Sequence, residues 1–364
     1  MPDLEVYLRA GARAAVAEPL YRGEDSHYQF KYLPAFALLM SPISAASVPM
    51  ARALWFTASV AMLALLLFVS LRIAEASGGP RDPSGAVHSR SPTPSWLLIA
   101  LTIVILGKFY ARELVLGQVN LMFAAVASAA VLAMIRGRET AAGALVAAAI
   151  VLKPYGALLV PWLLVRRQAR SVAALAAGLA MALLAPAATY GLAGNVDLHR
   201  RWWNTVVTTI EPNLLNPDNV SWLAMYSRWF GGAGGLWPQA LLLFTVAAAL
   251  GVMVWIWACR ERVVHPDGLE GALLLSLVPF LSPQGWDYVL LIATPAVMLL
   301  VAHAGRLPQA LRWLTIAALA AIGLTIYDLL GRPVFHAFMN ASGITLGFFP
   351  ILWALATLRF RRVA

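Results

Sequence analysis

Run after run of alanine, leucine, valine and tryptophan, many long enough to cross a hydrocarbon core of about 30 Å as a helix, decides most of what this chain can become. Inside lipid every backbone N–H and C=O must be satisfied by the protein itself, which leaves only helices or closed barrels. The short alternating strands of a barrel do not occur. Hydrophobic residues make up 61% of the 364 and charged residues 12%, with a mean hydropathy of +0.74. A water-facing surface, with about 25% charged residues in an ordinary domain, cannot be built from that. The fold class read from the sequence is all-α: a polytopic integral membrane protein with about ten to eleven apolar helical segments. One membrane domain over residues 1–364 is expected, with an outer-face loop and amphipathic helix in 1–31 and a multi-span helical core in 32–364.

The net charge of +10 comes largely from arginines at the ends of apolar runs, a pattern of membrane topology and not of nucleic-acid binding. Taking the arginine-rich turns as inner, residues 48–73 form a long span followed by an inner loop, 75–94, with Arg81 and Arg90. Spans follow at 96–110 and 119–135, and Arg136 and Arg138 mark the next inner turn. The run 141–165 is interrupted by Lys153 and Pro154, which predicts two short spans meeting outside before Arg166, Arg167 and Arg170. A span at 172–190 opens a large outer loop, 191–235; further spans lie at 240–258, 269–281, 289–301, 311–330 and 344–358, with Arg359, Arg361 and Arg362 closing the last one inside. Segment 32–46 holds Pro34 and Pro42 and reads as a short span or a re-entrant piece. Cys259 is the single cysteine, so no internal disulfide forms. The six histidines are scattered, and no glycine-rich phosphate loop occurs. No nucleotide, metal or other cofactor is implied.

Polar groups gather at the helix ends that this topology places outside. The first 34 residues hold five acids, Asp3, Glu5, Glu18, Glu24 and Asp25. The chain has three lysines, Lys31, Lys108 and Lys153, each within two residues of a tyrosine and all at outer ends, whereas inner turns use arginine. Lysine is a compact, strongly hydrated cation and a common phosphate partner; snorkelling to the interface is the plainer alternative. In residues 108–120, Lys108, Arg112 and Glu113 sit close to an apolar stretch, Gly117 allows a turn, and Gln118 and Asn120 offer amides to sugar hydroxyls or a phosphate. The plainer alternative there pairs Glu113 with Arg112 or Lys108. The polar turns 213–228 and 282–288 add Asn219, Trp286, Asp287 and Tyr288, and Asn219-Val220-Ser221 is a glycosylation sequon. Glycosyl transfer at such a surface needs a carboxylate to take an acceptor proton and cations to stabilise a departing phosphate. Asp3 serves as the former or, equally by residue type, as the cap of the first helix.

Six short stretches occur in order: Asp3-Leu4-Glu5-Val6-Tyr7; Phe30-Lys31-Tyr32-Leu33-Pro34 with Ser41-Pro42; Gly117-Gln118-Val119-Asn120; Leu152-Lys153-Pro154-Tyr155; Asn219-Val220-Ser221 with Arg228; and Leu281-Ser282-Pro283 with Trp286. Their order and composition resemble glycosyltransferase family 87, C-type membrane enzymes that include polyprenol-phosphate-mannose-dependent mannosyltransferases. The resemblance implies a helical fold whose first outer loop and helix ends enclose the site, a sugar donor on a polyprenyl monophosphate, and Asp3 as the family's catalytic base. It also implies a first transmembrane helix ahead of Asp3, upstream of where this sequence starts. Mannosyltransferase members often carry a histidine where this chain has Tyr288.

The combined reading is a glycosyltransferase of the cell (inner) membrane with its site facing away from the cytoplasm. It moves one sugar, mannose in the members it resembles, from a polyprenyl-phosphate donor to a lipid or glycan acceptor by an inverting displacement. Asp3 acts as base; Lys108, Arg112 and Lys153 bind the donor phosphate; and Gln118, Asn120, Asn219, Trp286 and Tyr288 line the sugar and acceptor pocket. Membrane lipids are the other expected partners, and nucleic acid is not one. Two rival readings stand beside it. A transporter or lipid flippase would need ionisable residues near the bilayer midplane, for which Asp328 comes nearest. A non-catalytic family member would keep the scaffold alone. Standing two residues from Met1, Asp3 is expected on a fraying end.

Overall fold

A computed structural model describes residues 1–77, 93–232, 234–262 and 266–360. The expected inner markers Arg81, Arg90, Arg361 and Arg362 lie outside the described residues. Among the described residues every regular element is helical. In order they are α1 (Pro2–Ala15), α2 (Pro34–Ser44), α3 (Val48–Ala76), α4 (Ser95–Leu116), α5 (Asn120–Ile135), α6 (Glu139–Leu152), α7 (Val160–Val165), α8 (Ala169–Leu184) and α9 (Ala187–Thr208). There follow α10 (Glu211–Leu214), α11 (Trp222–Trp229), α12 (Leu236–Ala258), α13 (Asp267–Leu281), α14 (Thr294–His303), α15 (Gln309–Leu324), α16 (Tyr327–Asn340) and α17 (Gly343–Phe360). Among the described residues four stretches are long and apolar enough to cross a membrane, Val48–Ala76, Leu236–Ala258, Asp287–Arg306 and Gly343–Phe360, or six if the bent pairs α8 with α9 and α15 with α16 each count once. Helix α12 leaves Leu236, Leu243 and Phe244 more than two-thirds exposed, an apolar face suited to lipid and not to water.

Contacts divide the chain into two compact units. The first comprises Met1–Leu66, Ala111–Ala133 and Arg138–Glu211. Its helix α1 starts with a proline at the first helical position and acids in the first turn, and ends on Arg13, in keeping with the helix dipole. Leu4, Tyr7, Ala10, Gly11 and Ala14 recur at helical spacing and are buried, chiefly against α2. Ser41 Oγ clips the two helices by donating to the Gly11 carbonyl at 2.9 Å. Arg13 holds Asp25 with two hydrogen bonds, of 2.5 and 2.9 Å, folding the following loop back on α1. That pairing keeps the Asp25 carboxyl below its usual range, the guanidinium hydrogen bonds outweighing the desolvation that would raise it. At 11 residues, about 16 Å as a helix, α2 is too short to span alone.

The break expected near residue 153 is present. Lys153 is extended (φ −149°, ψ 122°), as the residue before a proline prefers, and α6 stops there. Two other expectations need correction. Residues 191–235 are not an open loop: α9 runs on to Thr208 after a 90° bend from α8 and a kink at Gly191, with the pair Asp197 and Arg201 bonded at 2.6 Å one turn apart. Residues 311–330 are not one span: α15 stops at Leu324 and α16 leaves at 105°.

The second unit comprises Leu67–Tyr110, Met134–Gly137 and Pro212–Ala364. Helix α13 is buried along almost its whole length, and α14 likewise. The fully buried Glu270 on α13 accepts from Arg359 Nε (2.9 Å) and Nη2 (2.6 Å) on α17, and also from Arg260. Arg260 in turn binds Asp267, so two arginines and two acids tie the ends of α12, α13 and α17 together.

Candidate active site

In the first unit α1, the 17–33 loop, the α4–α5 turn and the α6 break converge. Asp3 and Tyr7 are one turn apart on α1 and share a face. Tyr7 is buried, and its hydroxyl lies 2.7 Å from the Tyr32 hydroxyl and donates to Gln118 Oε1 at 3.0 Å, to which Tyr32 also donates at 3.1 Å. The rings of Tyr32, Phe36 and Trp55 lie about Tyr7 with centroids at 5.0, 5.2 and 5.5 Å. Burial, above all, with Tyr32 and Asp3 adding to it, holds the Tyr7 phenol well above its ordinary range, so it stays a neutral hydrogen-bonding group. Gly117 makes the turn between α4 and α5 with φ +73°, and Met1 and Leu4 pack directly against it. The expected fraying of α1 is thereby overturned: Leu4 and Tyr7 are at most 1% exposed, and the helix is pinned at its first turn.

Beyond that turn, Glu113 is buried and accepts from Asn120 Nδ2 at 2.8 Å and from the Leu121 N–H at 3.1 Å. Its carboxylate thus covers the first turn of α5, where the helix dipole favours an anion. Lys153 interacts electrostatically with Glu113, Asp3 and Lys31, and its ammonium stands over the rings of Tyr32 (5.1 Å) and Tyr155 (5.9 Å). Lys31 feels Asp3 too; burial lowers its affinity for the proton and Asp3 partly restores it. Trp202 on α9 fixes the Lys31 backbone by donating to its carbonyl at 3.2 Å. This unit therefore gathers two carboxylates and two ammonium groups among tyrosines, with the half-buried Arg112 one residue from Glu113. Among the described residues no three His, Cys, Asp or Glu side chains are placed to hold a metal ion.

Asp3, Arg112, Gln118, Asn120 and Lys153 all belong to this first unit, and Lys108, Asn219, Trp286 and Tyr288 belong to the second. Lys108 donates to the Thr325 carbonyl at 2.8 Å and lies over Phe109 at 4.8 Å. Asn219 is 1% exposed; its Nδ2 donates to the Pro283 carbonyl at 2.9 Å and its Oδ1 accepts from the Ser221 N–H at 3.1 Å. With the Val220 N–H on the Gly285 carbonyl (2.7 Å) and the Asp287 N–H on that of Asp218 (2.9 Å), it zips the two polar turns together. The sequon asparagine is a buried loop tie. Arg228, quoted above as part of a motif but given no site role, completes this tie through the carbonyls of Asn216 (3.0 Å) and Asn219 (2.9 Å) and the Ser342 hydroxyl (2.8 Å). Trp286 and Tyr288 stack in parallel, centroids 6.4 Å apart. Sequence reasoning left Lys31, Tyr7 and Tyr32 out of the site, although the recurrence of lysine next to tyrosine was a signal that pointed to Lys31 and Tyr32; no such neighbour marks Tyr7.

An all-helical, polytopic membrane protein with charged side chains gathered where helices end and break is the class these features define. Residues 30–283, well over half of the chain, match glycosyltransferase family 87, and the protein belongs to that family. It is a membrane glycosyltransferase. The matched region takes in Lys31, Lys108, Arg112, Gln118, Asn120, Lys153 and Asn219, whereas Asp3, Trp286 and Tyr288 fall outside it. No curated protein and no solved structure matches the chain.

Proposed function

We propose that the protein moves a single sugar, mannose being the first to test, from a polyprenyl-phosphate donor to a lipid or glycan acceptor, at a site in the first unit that faces away from the cytoplasm. The observation that carries this reading is the gathering of the Asp3 carboxylate with the Lys31 and Lys153 ammoniums around the α1 and α6 ends. Asp3 takes the proton of the acceptor hydroxyl as its oxygen forms the new bond to the anomeric carbon. The bond from that carbon to the donor phosphate oxygen breaks, and the polyprenyl phosphate leaves as an anion stabilised by Lys153 and Lys31, with Arg112 of the same unit as a further cation. A single base on the face opposite the leaving group gives inversion at that carbon. Gln118 and Asn120 shape the pocket from the α4–α5 turn.

The direct test supplies purified protein in lipid nanodiscs with polyprenyl-phosphate-mannose and a mixture of cell-envelope glycolipids. Mannose transfer is expected, and Asp3→Asn should lower its rate by about 10²- to 10⁴-fold, the usual contribution of a positioned base. Folded protein that neither transfers mannose nor hydrolyses the donor would overturn the reading.

A further inference from the structure

Asp328, the ionisable residue on which a transporter reading would rest, stands in an open cleft at the far end of α15 from Arg312. There α16 turns off at 105° and is itself kinked at Gly331 (φ +71°, ψ 156°). The cleft, about 440 Å³, is lined by Tyr327, Asp328, Gly331, Arg332 and His336. One wall is fixed: the Tyr327 ring stacks on Phe335 at 4.0 Å and its hydroxyl lies 3.3 Å from His336 Nε2. Arg332 and His336 are one turn apart on the same face. Among the described residues no hydrogen bond or ion pair engages Asp328 or Arg332, so both retain their full capacity for a ligand. Beside the charged cleft the same helix exposes Leu329 (59%) and Val334 (55%). Apolar side chains next to charged ones, on a helix leaving the end of an apolar span, suit the plane where acyl chains meet headgroups.

We propose that this cleft binds the headgroup of an anionic phospholipid whose phosphodiester carries free hydroxyls. The phosphate oxygens meet the Arg332 guanidinium and the His336 ring, a charge-assisted contact. The hydroxyls donate to the Asp328 carboxylate, and the acyl chains run past Leu329 and Val334. A lone guanidinium would accept any anionic lipid; the facing carboxylate selects one able to donate hydrogen bonds back, because an anion without hydroxyls would leave Asp328 repelling it. The site does not depend on the assignment of Asp3 or the lysines.

Full-length protein would be reconstituted in phosphatidylcholine nanodiscs containing equal trace amounts of phosphatidylglycerol and phosphatidylmethanol, which share a charge but differ in hydroxyls. The lipid retained on the released protein would be counted by native mass spectrometry. Phosphatidylglycerol should be retained in preference to phosphatidylmethanol. Arg332→Gln should cut its retention about tenfold, the scale of one charge-assisted hydrogen bond. Asp328→Asn should abolish the preference between the two anionic lipids while leaving both bound. Arg312→Gln, at the other end of α15, should change nothing. Equal retention of the two lipids by the unaltered protein would overturn the proposal, as would an Arg312→Gln effect equal to that of Arg332→Gln, which would show attraction to net charge alone. The exposed positions of both cleft residues keep the variants foldable, and an unchanged melting midpoint verifies it.

Discussion

Two phenol protons and three oxygens meet where Tyr7, Tyr32 and Gln118 touch, and the count sets unequal consequences for removing each. One phenol must donate to Gln118 Oε1, and the other can donate either there or to its neighbour. Tyr7→Phe leaves Tyr32 still bonded to Gln118 and should cost about 1 kcal/mol, one ordinary hydrogen bond. Gln118→Leu removes the acceptor that both share, so one buried phenol keeps a proton with no partner, and the cost should rise to about 1–3 kcal/mol. Melting midpoints in detergent decide it: a Tyr7→Phe loss equal to or larger than that of Gln118→Leu would contradict this count. The sequence pointed to Gln118 as a sugar ligand because an amide beside a glycine turn is the kind of group that binds hydroxyls. Its oxygen is met by tyrosines 111 and 86 residues away in the chain. Nothing local announces such partners. Lys153 was visible for the opposite reason, since a charged residue before a proline inside an apolar run is conspicuous locally.

At the scale of elements, the α4–α5 turn is what seats α1 and with it Asp3. Gly117 has φ +73°, and a Cβ there would lie 2.8 Å from Met1 Cβ and 3.2 Å from Leu4 Cβ. Gly137, between α5 and α6, has nearly the same backbone (φ +67°) but nothing within 4 Å of the added atom. Alanine at Gly137 should therefore cost only the left-handed backbone penalty, about 1–2 kcal/mol. Alanine at Gly117 should cost that amount plus the displacement of α1, and should lower the transfer rate as well as the melting midpoint. If the two variants lost equal stability and kept equal activity, the packing of α1 on this turn would have no bearing on the site. Long uniform runs, and breaks marked by proline, were legible in advance: α3, α4 and α12 lie where hydropathy put them, and α6 ends before Pro154. What escaped were helices of mixed polarity. Helix α9 carries Asn195, Asp197, His199, Arg200 and Arg201 and reads as loop by hydropathy, although its Asp197–Arg201 spacing is helical. The bend between α15 and α16 escaped because the apolar run continues through it to Leu330.

For the molecule as a whole, the strongest buried electrostatics and the proposed chemistry lie in different units. In the second unit, Arg359 is 1% exposed and Glu270 0%, and Arg260 shares the same carboxylate. Burying charges this deeply is tolerable only while each is paired, and removing one partner leaves the desolvation cost uncompensated. Glu270→Ala strands Arg359 and should destabilise the protein by about 3–5 kcal/mol. Arg359→Met should cost less, because Glu270 keeps Arg260 and Arg260 keeps Asp267. The double variant Glu270→Leu with Arg359→Met removes both buried charges and should recover much of the loss, a non-additivity that a double-mutant cycle measures directly. Lys153→Ala in the first unit should weaken use of the proposed polyprenyl-phosphate donor and, because the buried Glu113 loses a cation that compensates it, should lower the unfolding midpoint as well. The two sets of variants are therefore expected to separate by the transfer rate per folded molecule: the Glu270 and Arg359 series moves denaturant midpoints while that rate stays constant, and Lys153→Ala lowers the rate or raises the donor KM of the molecules that remain folded. A Glu270→Ala protein that stays folded yet loses transfer in proportion would show that the network acts on the reaction and is more than a brace for the second unit.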